Sequence, residues 1–251
     1  MRESSFSLTY KDEKTKGGVL WESHCHAQFE LIAVFEGEVS LTFEGRKTAL
    51  SHGSVTVIPP LVYHTITAKE NAHYRRATVL FDLSFVPHPL KEQFLAHANA
   101  GKALCFSDLS SLQRVSPLAE QDFYRPLAES LLIGLLYEYT EAASAEAGVA
   151  DDSFLTKTLS FIDTHLCEKI SLDEIALHTA RSKSSLCHLF EERMHVSPKQ
   201  YILQKKLAFA SKLIADGIPP TVAAMQVGYD NYSNFYRMYL KHFGKSPKVQ
   251  D

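Results

Sequence analysis

The sequence lacks several features that would assign it to common classes of protein. Its 251 residues include four cysteines, none of them in a Cys-x-x-Cys pair, so neither a disulfide framework nor a zinc finger is predicted. No apolar run reaches the roughly 18–20 residues of a membrane-spanning helix, and the N-terminus has no secretory apolar segment. Scattered thiols fit a reducing compartment, so we expect a cytoplasmic protein with no membrane partner.

A strong excess of positive charge is also absent. The formal net charge is −3 at pH 7, and residues 151–251 hold 13 Lys and Arg against 11 Asp and Glu. The basic composition of many nucleic-acid-binding proteins is therefore not seen here. An argument for DNA binding has to rest on local helix geometry.

Two kinds of pattern divide the chain. Short β-prone runs separated by glycine and proline fill residues 1 to about 85, a spacing typical of a sandwich or barrel. From about Pro117 the pattern becomes helical, and Pro126 is predicted to separate two helices. Residues 142–152 are rich in Ala, Ser, Gly and Asp, which indicates a linker, and the residues beyond it contain no strand signal.

The segment ISLDEIALHTARSKSSLCHLF predicts a helix, a tight turn and a second helix. Ser171 and Glu174 form a capping box that fixes the start of the first helix. Ser182 is the predicted N-cap of the second helix. In that helix Leu186 and Phe190 lie at i and i+4 and are expected to face the core, which leaves a polar side facing outward.

The segment PPTVAAMQVGYDNYSNFYRMYLKHFG has the same organisation. Gly228 predicts the turn, and Asn231 is the predicted N-cap of the last helix. Between the two segments, SPKQYILQKKLAFASKLIADG predicts about 18 helical residues, which span roughly 27 Å. A helix of that length can hold two recognition helices about one duplex turn apart, near 34 Å, so that both enter successive major grooves.

These residues and spacings, from about residue 152 to residue 248, resemble the AraC/XylS family of transcriptional regulators. The most specific part runs from Val227-Gly228-Tyr229 through Arg237 to the ending HFGKSP, whereas Ala180 stands at a turn position where the family often has glycine. The resemblance implies that double-stranded DNA is bound by the outward sides of both second helices. The implied base contacts are Ser184, Cys187, His188, Ser233, Asn234 and Arg237, and the expected phosphate contacts are Lys183 and Lys241.

The stretch HCHAQFELIAVFEG begins at His24 and places His26, Gln28 and Glu30 at alternate positions. In a single strand these four side chains would face the same side. His64, from a later strand, could meet them across a small barrel. Three imidazoles and a carboxylate suit Fe, Mn, Ni or Zn with open coordination positions.

The spacing from Gly18 through these histidines to Gly37 resembles the cupin signature, and Gly53 and His64 fit its second half, although Leu61 replaces a usual glycine. The resemblance implies a cupin-like barrel, and AraC-like regulators often carry such histidines in a sensor barrel that binds a small effector. Three interpretations stay open: an effector pocket without a required metal, a bound divalent metal, or a structural histidine cluster. The predicted pocket comprises His24, His26, Gln28, Glu30 and His64, and the candidate metal ligands are His24, His26, Glu30 and His64.

We therefore predict two domains. Residues 1–146 are expected to form an all-β cupin-like barrel followed by helices, and residues 147–251 an all-α domain with two helix-turn-helix motifs joined by a long helix. The apolar stripe of the helices at 117–146, through Leu127 and Tyr139, either packs within the chain or forms a homodimer, which the family resemblance favours.

The predicted function is a sequence-specific transcriptional regulator, not an enzyme, that binds DNA and responds to a small molecule. No cofactor is expected to be required, although a divalent metal could occupy the barrel. One alternative is a metal-dependent cupin enzyme with an appended helical domain. Another is a regulator without an effector, controlled by its abundance or by a protein partner.

Overall fold

The computed structural model describes residues 6–99, 103–119, 121, 123–142 and 154–249, without the side chains of residues 16–22. The described residues form two compact units, the first within residues 1–22 and 28–149 and the second within residues 23–27 and 150–251. The predicted division between residues 146 and 147 lies outside the described residues, as does the predicted linker apart from Ala142.

The N-terminal domain is built on one seven-stranded sheet that forms a barrel-like body. Its strands are β1 (Phe6–His24), β2 (Phe29–Glu36), β3 (Val39–Phe43), β4 (Arg46–Leu50), β5 (Ser54–Ile58), β6 (His64–Phe81) and β7 (Ala103–Cys105). The order is β4-β3-β6-β2-β5-β7, and β1 pairs with β6. Because β6 pairs with β3 through residues 64–68 and with β2 through residues 75–81, it joins the two halves of the sheet.

Both faces of this sheet are buried, as the side chains of β2 show. Ile32 and Val34 enter an apolar cluster enclosed by the strands, whereas Leu31 and Ala33 enter a second cluster on the opposite face. Helices α1 (Lys91–Asn99), α2 (Ser110–Val115) and α3 (Arg125–Ala142) cover that second cluster. A strand buried on both faces is apolar throughout instead of alternating, which explains the continuous run in β2.

The helices of the N-terminal domain differ from the sequence prediction. Helices α1 and α2 lie before Pro117, where no helix was predicted. Pro126 lies in the first turn of α3 instead of between two helices, and there its missing N–H removes no helical hydrogen bond. Of the predicted apolar stripe, Leu135 and Tyr139 are buried, but Leu127 is 49% exposed.

The described part of the C-terminal domain is entirely helical, as predicted. Its helices are α4 (Phe154–Thr164), α5 (Leu172–His178), α6 (Lys183–Met194), α7 (Pro198–Ala215), α8 (Pro220–Gln226) and α9 (Tyr232–Phe243). The pairs α5–α6 and α8–α9 are the two predicted helix-turn-helix motifs, and α7 joins them with its 18 residues. None of the helices described in either domain is long and apolar enough to cross a lipid bilayer.

Local hydrogen bonds fix where the motif helices begin. The Ser171 hydroxyl accepts from the backbone N–H of Glu174 at 3.2 Å, and the Glu174 carboxylate accepts from the backbone N–H of Ser171 at 2.7 Å, which confirms the capping box. The Ser171 hydroxyl also donates to the Glu174 carboxylate at 2.7 Å, and this bond, together with the bond from the Ser171 backbone N–H, lowers the pKa of Glu174. Ser182 and Asn231 cap α6 and α9 as predicted. A side-chain cap of this kind contributes about 1 kcal/mol.

Candidate DNA-binding surface and effector site

Helix α6 of the first motif separates an apolar side from a polar side. Leu186 and Phe190 are fully buried, and the Phe190 ring packs edge-on against Tyr201 of α7 with 5.2 Å between centroids. The opposite side carries Ser184, Cys187 and His188, of which Ser184 and His188 are exposed and Cys187 is half-buried. The prediction that Ser184 and His188 face solvent is therefore confirmed, whereas Cys187 is only partly exposed.

Helix α9 repeats this arrangement in the second motif. Phe235 and Tyr239 are buried with 5.4 Å between their ring centroids, and they belong to an apolar cluster that includes Val227. The Arg237 guanidinium donates to the side-chain oxygen of Asn234 at 3.1 Å. The exposed side of α9 carries Ser233, Asn234, Arg237 and Lys241.

Both motifs turn the chain at a residue with a left-handed backbone conformation. Ala180, between α5 and α6, has φ +52°, and Gly228, between α8 and α9, has φ +79°. A Cβ on Gly228 would lie 2.9 Å from the carbonyl oxygen of Cys167 and 2.9 Å from Nζ of Lys206. The second turn therefore requires glycine, whereas the first motif makes the same turn with alanine.

Two buried lysines attach α7 to the first part of the C-terminal domain. Lys205 Nζ lies 2.5 Å from Oδ1 of Asp163 on α4 and donates to the Tyr201 hydroxyl at 3.1 Å. Lys206 Nζ donates to the carbonyl oxygen of Glu168 at 2.6 Å, and burial lowers the pKa of this lysine. Because lysine is almost never buried without partners, these contacts indicate a fixed joint. The sequence pattern did not reveal it.

The four candidate metal ligands lie close together in space. They do not lie on a single strand, as the sequence had predicted. Strand β1 ends at His24, the chain bends through residues 25–28, and β2 begins at Phe29. The prediction of a single strand is therefore wrong, and Gln28 lies half-buried in the bend. One ligand atom from each of the four predicted residues, His24, His26, Glu30 and His64, nevertheless lies within 4.8 Å of all the others.

The His64 ring lies between two oxygen atoms. His64 Nε2 is 3.0 Å from Oε2 of Glu30, and both side chains are buried. His64 Nδ1 is 3.0 Å from the carbonyl oxygen of Val62. These contacts orient the ring and hold His64 beside Glu30 at the candidate metal site.

Strand β6 adds polar side chains to the barrel interior that the sequence analysis missed. Arg76 pairs with Val34 and Thr78 with Ile32, so both face the same side as the enclosed apolar cluster, to which Tyr74 belongs. Their alternation in the run YRRAT, at i, i+2 and i+4, was the available signal. It was missed because arginine is seldom buried.

Tyr74 and Arg76 are buried, and Thr78 is half-buried. The hydroxyl oxygens of Tyr74 and Thr78 have no hydrogen-bond partner in the described structure. Arg76 is 2% exposed, its Cζ lies 4.9 Å from the Tyr74 ring centroid, and Nη1 lies 3.4 Å from Oε1 of Glu13. Burial raises the pKa of Tyr74 and lowers that of Arg76. A buried hydroxyl without a partner costs about 1–3 kcal/mol, which favours a bound ligand or water at this place.

Two family models match adjacent parts of the chain. A model described as an AraC-like ligand binding domain matches residues 16–136, and one described as a helix-turn-helix domain matches residues 175–249. The chain belongs to the AraC family of transcriptional regulators. The resemblance found in the sequence is thereby confirmed, and so is the combination of a ligand-binding domain with a DNA-binding domain.

Several known proteins are similar to this one along most of the chain. One is the uncharacterized HTH-type transcriptional regulator YdiP of Escherichia coli (strain K12), 24% identical over 243 residues that cover 90% of this chain and 80% of YdiP. Another is the probable transcriptional regulator LumQ of Photobacterium leiognathi, 25% identical over 231 residues and 89% of each chain. A crystal structure of ToxT from Vibrio cholerae O395 aligns with a TM-score of 0.44 at 10% identity, covering 97% of this chain and 95% of ToxT.

Proposed function

We propose that this AraC-family regulator reads DNA with α6 and α9 and responds to a small-molecule effector held inside its barrel. One observation carries the DNA-binding part: two capped helix-turn-helix motifs are joined by a single 18-residue helix, and each motif exposes a polar side of its second helix. A fixed joint limits the relative motion of the motifs, so that both can enter the duplex together. The protein would act in the cytoplasm, where DNA is accessible.

The exposed sides of α6 and α9 supply the proposed base contacts. Arg237 can donate two hydrogen bonds to O6 and N7 of guanine, a contact worth about 1–3 kcal/mol of discrimination. His188 can donate one bond to a base, and Lys183 and Lys241 would neutralise phosphates. The remaining proposed base contacts are Ser184, Cys187, Ser233 and Asn234.

The proposal is tested by separating sequence readout from phosphate binding. A preferred duplex is first selected from a random library with the wild-type protein, and its Kd is compared with that of an unselected duplex. Arg237→Ala should weaken the preferred duplex by about 5- to 150-fold while changing the unselected duplex little. Lys241→Ala, the matched control on the same helix, should weaken both duplexes equally. An equal loss on both duplexes for Arg237→Ala would show that it contacts phosphate.

The barrel interior supports the effector part of the proposal. It combines an apolar cluster with a few polar groups, which is the usual composition of a small-molecule site. The hydroxyls of Tyr74 and Thr78 would hydrogen-bond the effector beside Arg76. The rest of the pocket would be lined by Glu30, His64, His24, His26 and Gln28. Tyr74→Phe removes one hydroxyl only, so it should reduce the thermal stabilisation given by the effector without altering the fold of the free protein.

A divalent metal is a further component of the proposed site. Two ligands of one ion lie at most about 4.2 Å apart, since metal–ligand distances are about 2.0–2.2 Å. The spread of 4.8 Å among the four candidate ligand atoms therefore fits an ion after a small adjustment. His24, His26, Glu30 and His64 would hold it, and an ion there would offer a charged contact to an oxygen of the effector. Metal analysis of purified protein should give near one equivalent, and Glu30→Gln should lower that content.

The same four residues favour one rival function, a metal-dependent enzyme of the cupin type. The two functions are distinguished by adding Fe, Mn, Ni or Zn to the protein and following turnover of candidate substrates. Turnover that disappears in Glu30→Gln and in His64→Gln would favour the enzyme. Metal or ligand binding that changes DNA affinity without turnover would favour the regulator.

A homodimer is the third component of the proposal. Helix α3 exposes Leu127 and Tyr137 by 49% and 52%, and a Cβ added at Gly134 would meet nothing within 4 Å. These positions, at i, i+7 and i+10, lie on one broad side of the helix. A second copy of α3 is the proposed partner for that side, and such a dimer would present four helix-turn-helix motifs to DNA.

A further inference from the structure

An open cavity of about 410 Å³ lies in the C-terminal domain, and of its lining residues only Lys183 has been assigned a contact with DNA. Its walls come from the first motif, from the first half of α7 and from the turn of the second motif. Ile202 and Leu203 of α7 give it an apolar wall, and Tyr229 contributes from the turn that precedes α9. The cavity thus lies between the starting points of α6 and α9.

The charge of this cavity is positive. Three lysines line it, Lys183, Lys199 and Lys206, against a single carboxylate, that of Asp173. The carboxylate lies 2.9 Å from Nζ of Lys183 at the exposed side of the cavity. Two ammonium groups remain without a carboxylate among the lining residues. The cavity therefore favours an anionic ligand.

The lysines of the cavity differ in their freedom to contact such a ligand. Lys199 is exposed in the first turn of α7 and can swing over the opening. Lys206 is 8% exposed and uses one of its three N–H donors on the carbonyl oxygen of Glu168, so two donors remain for other contacts. Burial lowers the pKa of Lys206, and a nearby anion would offset that cost of burial.

The geometry of a bound duplex indicates which anion could reach this cavity. If α6 and α9 enter successive major grooves, the sugar-phosphate backbone between those grooves has to pass over the space between the two helices. The cavity lies in that space, because Lys183 begins α6 and Tyr229 lies two residues before Asn231, the cap of α9. A phosphodiester there carries one negative charge and two free oxygens, which match ammonium and hydroxyl donors.

We propose that this cavity binds a phosphate of the DNA backbone between the two grooves, contacted by Lys199 and the Tyr229 hydroxyl, with Lys206 behind it. The proposal rests on the proposed DNA-binding function. Lys199 and Lys206 supply the positive charge beside the Lys183–Asp173 ion pair, and Ile202 and Leu203 form an apolar wall for the adjacent deoxyribose. The contact would hold the duplex against α7 without any dependence on base sequence.

The test uses the full-length protein and a random-sequence duplex, so no operator needs to be known. The logarithm of the binding constant is plotted against the logarithm of NaCl concentration between 50 and 200 mM. Lys199→Gln should reduce the slope by about 0.9, the value for one lost phosphate contact. Tyr229→Phe should lower affinity by a similar factor at every salt concentration and leave the slope unchanged, because the lost hydroxyl is uncharged.

Lys212→Gln is the matched control. Lys212 is an exposed lysine in the last turn of the same helix and does not line the cavity, so its slope should equal that of the wild type. Equal slopes for wild type and Lys199→Gln would overturn the phosphate contact while leaving DNA binding intact. If the wild type itself failed to bind duplex at 50 mM salt, the proposed function would fail instead.

A second arm separates backbone phosphate from free phosphate. Sodium phosphate replaces NaCl at constant ionic strength, and both duplex binding and the thermal midpoint are measured. The proposal expects no competition by 10 mM inorganic phosphate and no shift of the midpoint. Competition that disappears in Lys199→Gln would show a site for a free anion and overturn the assignment to DNA.

Discussion

At the scale of single residues, two positions lack the glycine that the family patterns usually place there. Leu61 and Ala180 have φ values of +64° and +52°, a region that costs a residue with a Cβ roughly 1–2 kcal/mol. Part of that cost is offset, because glycine loses more backbone entropy on folding. The absence of glycine at both positions was visible in the sequence. Only the structure shows that Leu61 and Ala180 nevertheless keep a positive φ.

Ala180→Gly should therefore stabilise the C-terminal domain. We expect the free energy of unfolding to rise by up to about 1 kcal/mol, which corresponds to about 4–8 °C in the midpoint of a domain of this size. The measurement is thermal unfolding followed by circular dichroism. Ala96→Gly, at an exposed position within α1, should lower stability by about 0.5–1 kcal/mol and serves as the control for a glycine in ordinary helix. A loss of stability in Ala180→Gly would contradict the prediction.

Buried charged residues mark the limit of what could be predicted at this scale. Arg76 and Lys206 are 2% and 8% exposed, although arginine and lysine are seldom buried. Their positions depend on partners distant in sequence: Glu13 for Arg76, and the Glu168 carbonyl for Lys206. Sequence reading therefore missed the polar part of the barrel interior and the joint at α7.

At the scale of elements, helices with local signals were the most predictable. The caps at Ser171, Ser182 and Asn231 act within three residues, so the sequence alone placed the starts of α5, α6 and α9 correctly. Strand limits depend on pairing instead, and the bend at residues 25–28 broke a strand that strict alternation had predicted. The His24–Glu30 cluster was still found, because a bend can also bring side chains together.

A cluster of exposed polar side chains connects three strands of the sheet, and its contribution to stability should depend on pH. His73 Nδ1 is 2.9 Å from Oε1 of Glu36 on β2, and Nε2 is 2.6 Å from Oδ1 of Asp12 on β1. Arg75 also contacts Glu36. Hydrogen bonds to Glu36 and then Asp12 raise the pKa of His73 above its ordinary 6.5, and the bond to His73 lowers the pKa of Glu36 below its ordinary 4.5.

The signs of these shifts define a pH window. The contribution of His73 is complete below 6.5 and is lost as pH rises through its raised pKa, whereas that of Glu36 is complete above 4.5 and is lost as pH falls through its lowered pKa. We expect His73→Gln to lower the thermal midpoint most near pH 5.5 and progressively less towards pH 8.5. His88→Gln, at an exposed histidine of the same domain, should show no such trend. A difference independent of pH would refute the role of His73.

At the scale of the whole molecule, ligand and DNA binding must be linked if the protein is a regulator. An effector can shift the DNA-binding equilibrium only by the ratio of its affinities for the two states of the protein. Linkage is reciprocal, so an effector that raises DNA affinity tenfold must itself bind tenfold more tightly when DNA is saturating. The coupling free energy between effector binding in the barrel and DNA binding by the two motifs can therefore be measured from either side. It amounts to about 1.4 kcal/mol for each tenfold change in affinity.

The proposed dimerisation through α3 would link the fold to regulation. Tyr137 is 52% exposed, so Tyr137→Glu should leave the folded monomer intact while placing a charge in the proposed interface. We expect sedimentation velocity to show a wild-type dimer at 10 μM and a dissociation constant at least tenfold higher for the variant. Glu92→Gln, on α1, should sediment as the wild type does. A monomeric wild type at that concentration would remove the dimer. DNA binding would then depend on two motifs instead of four, and the fraction of DNA bound would rise less steeply with protein concentration.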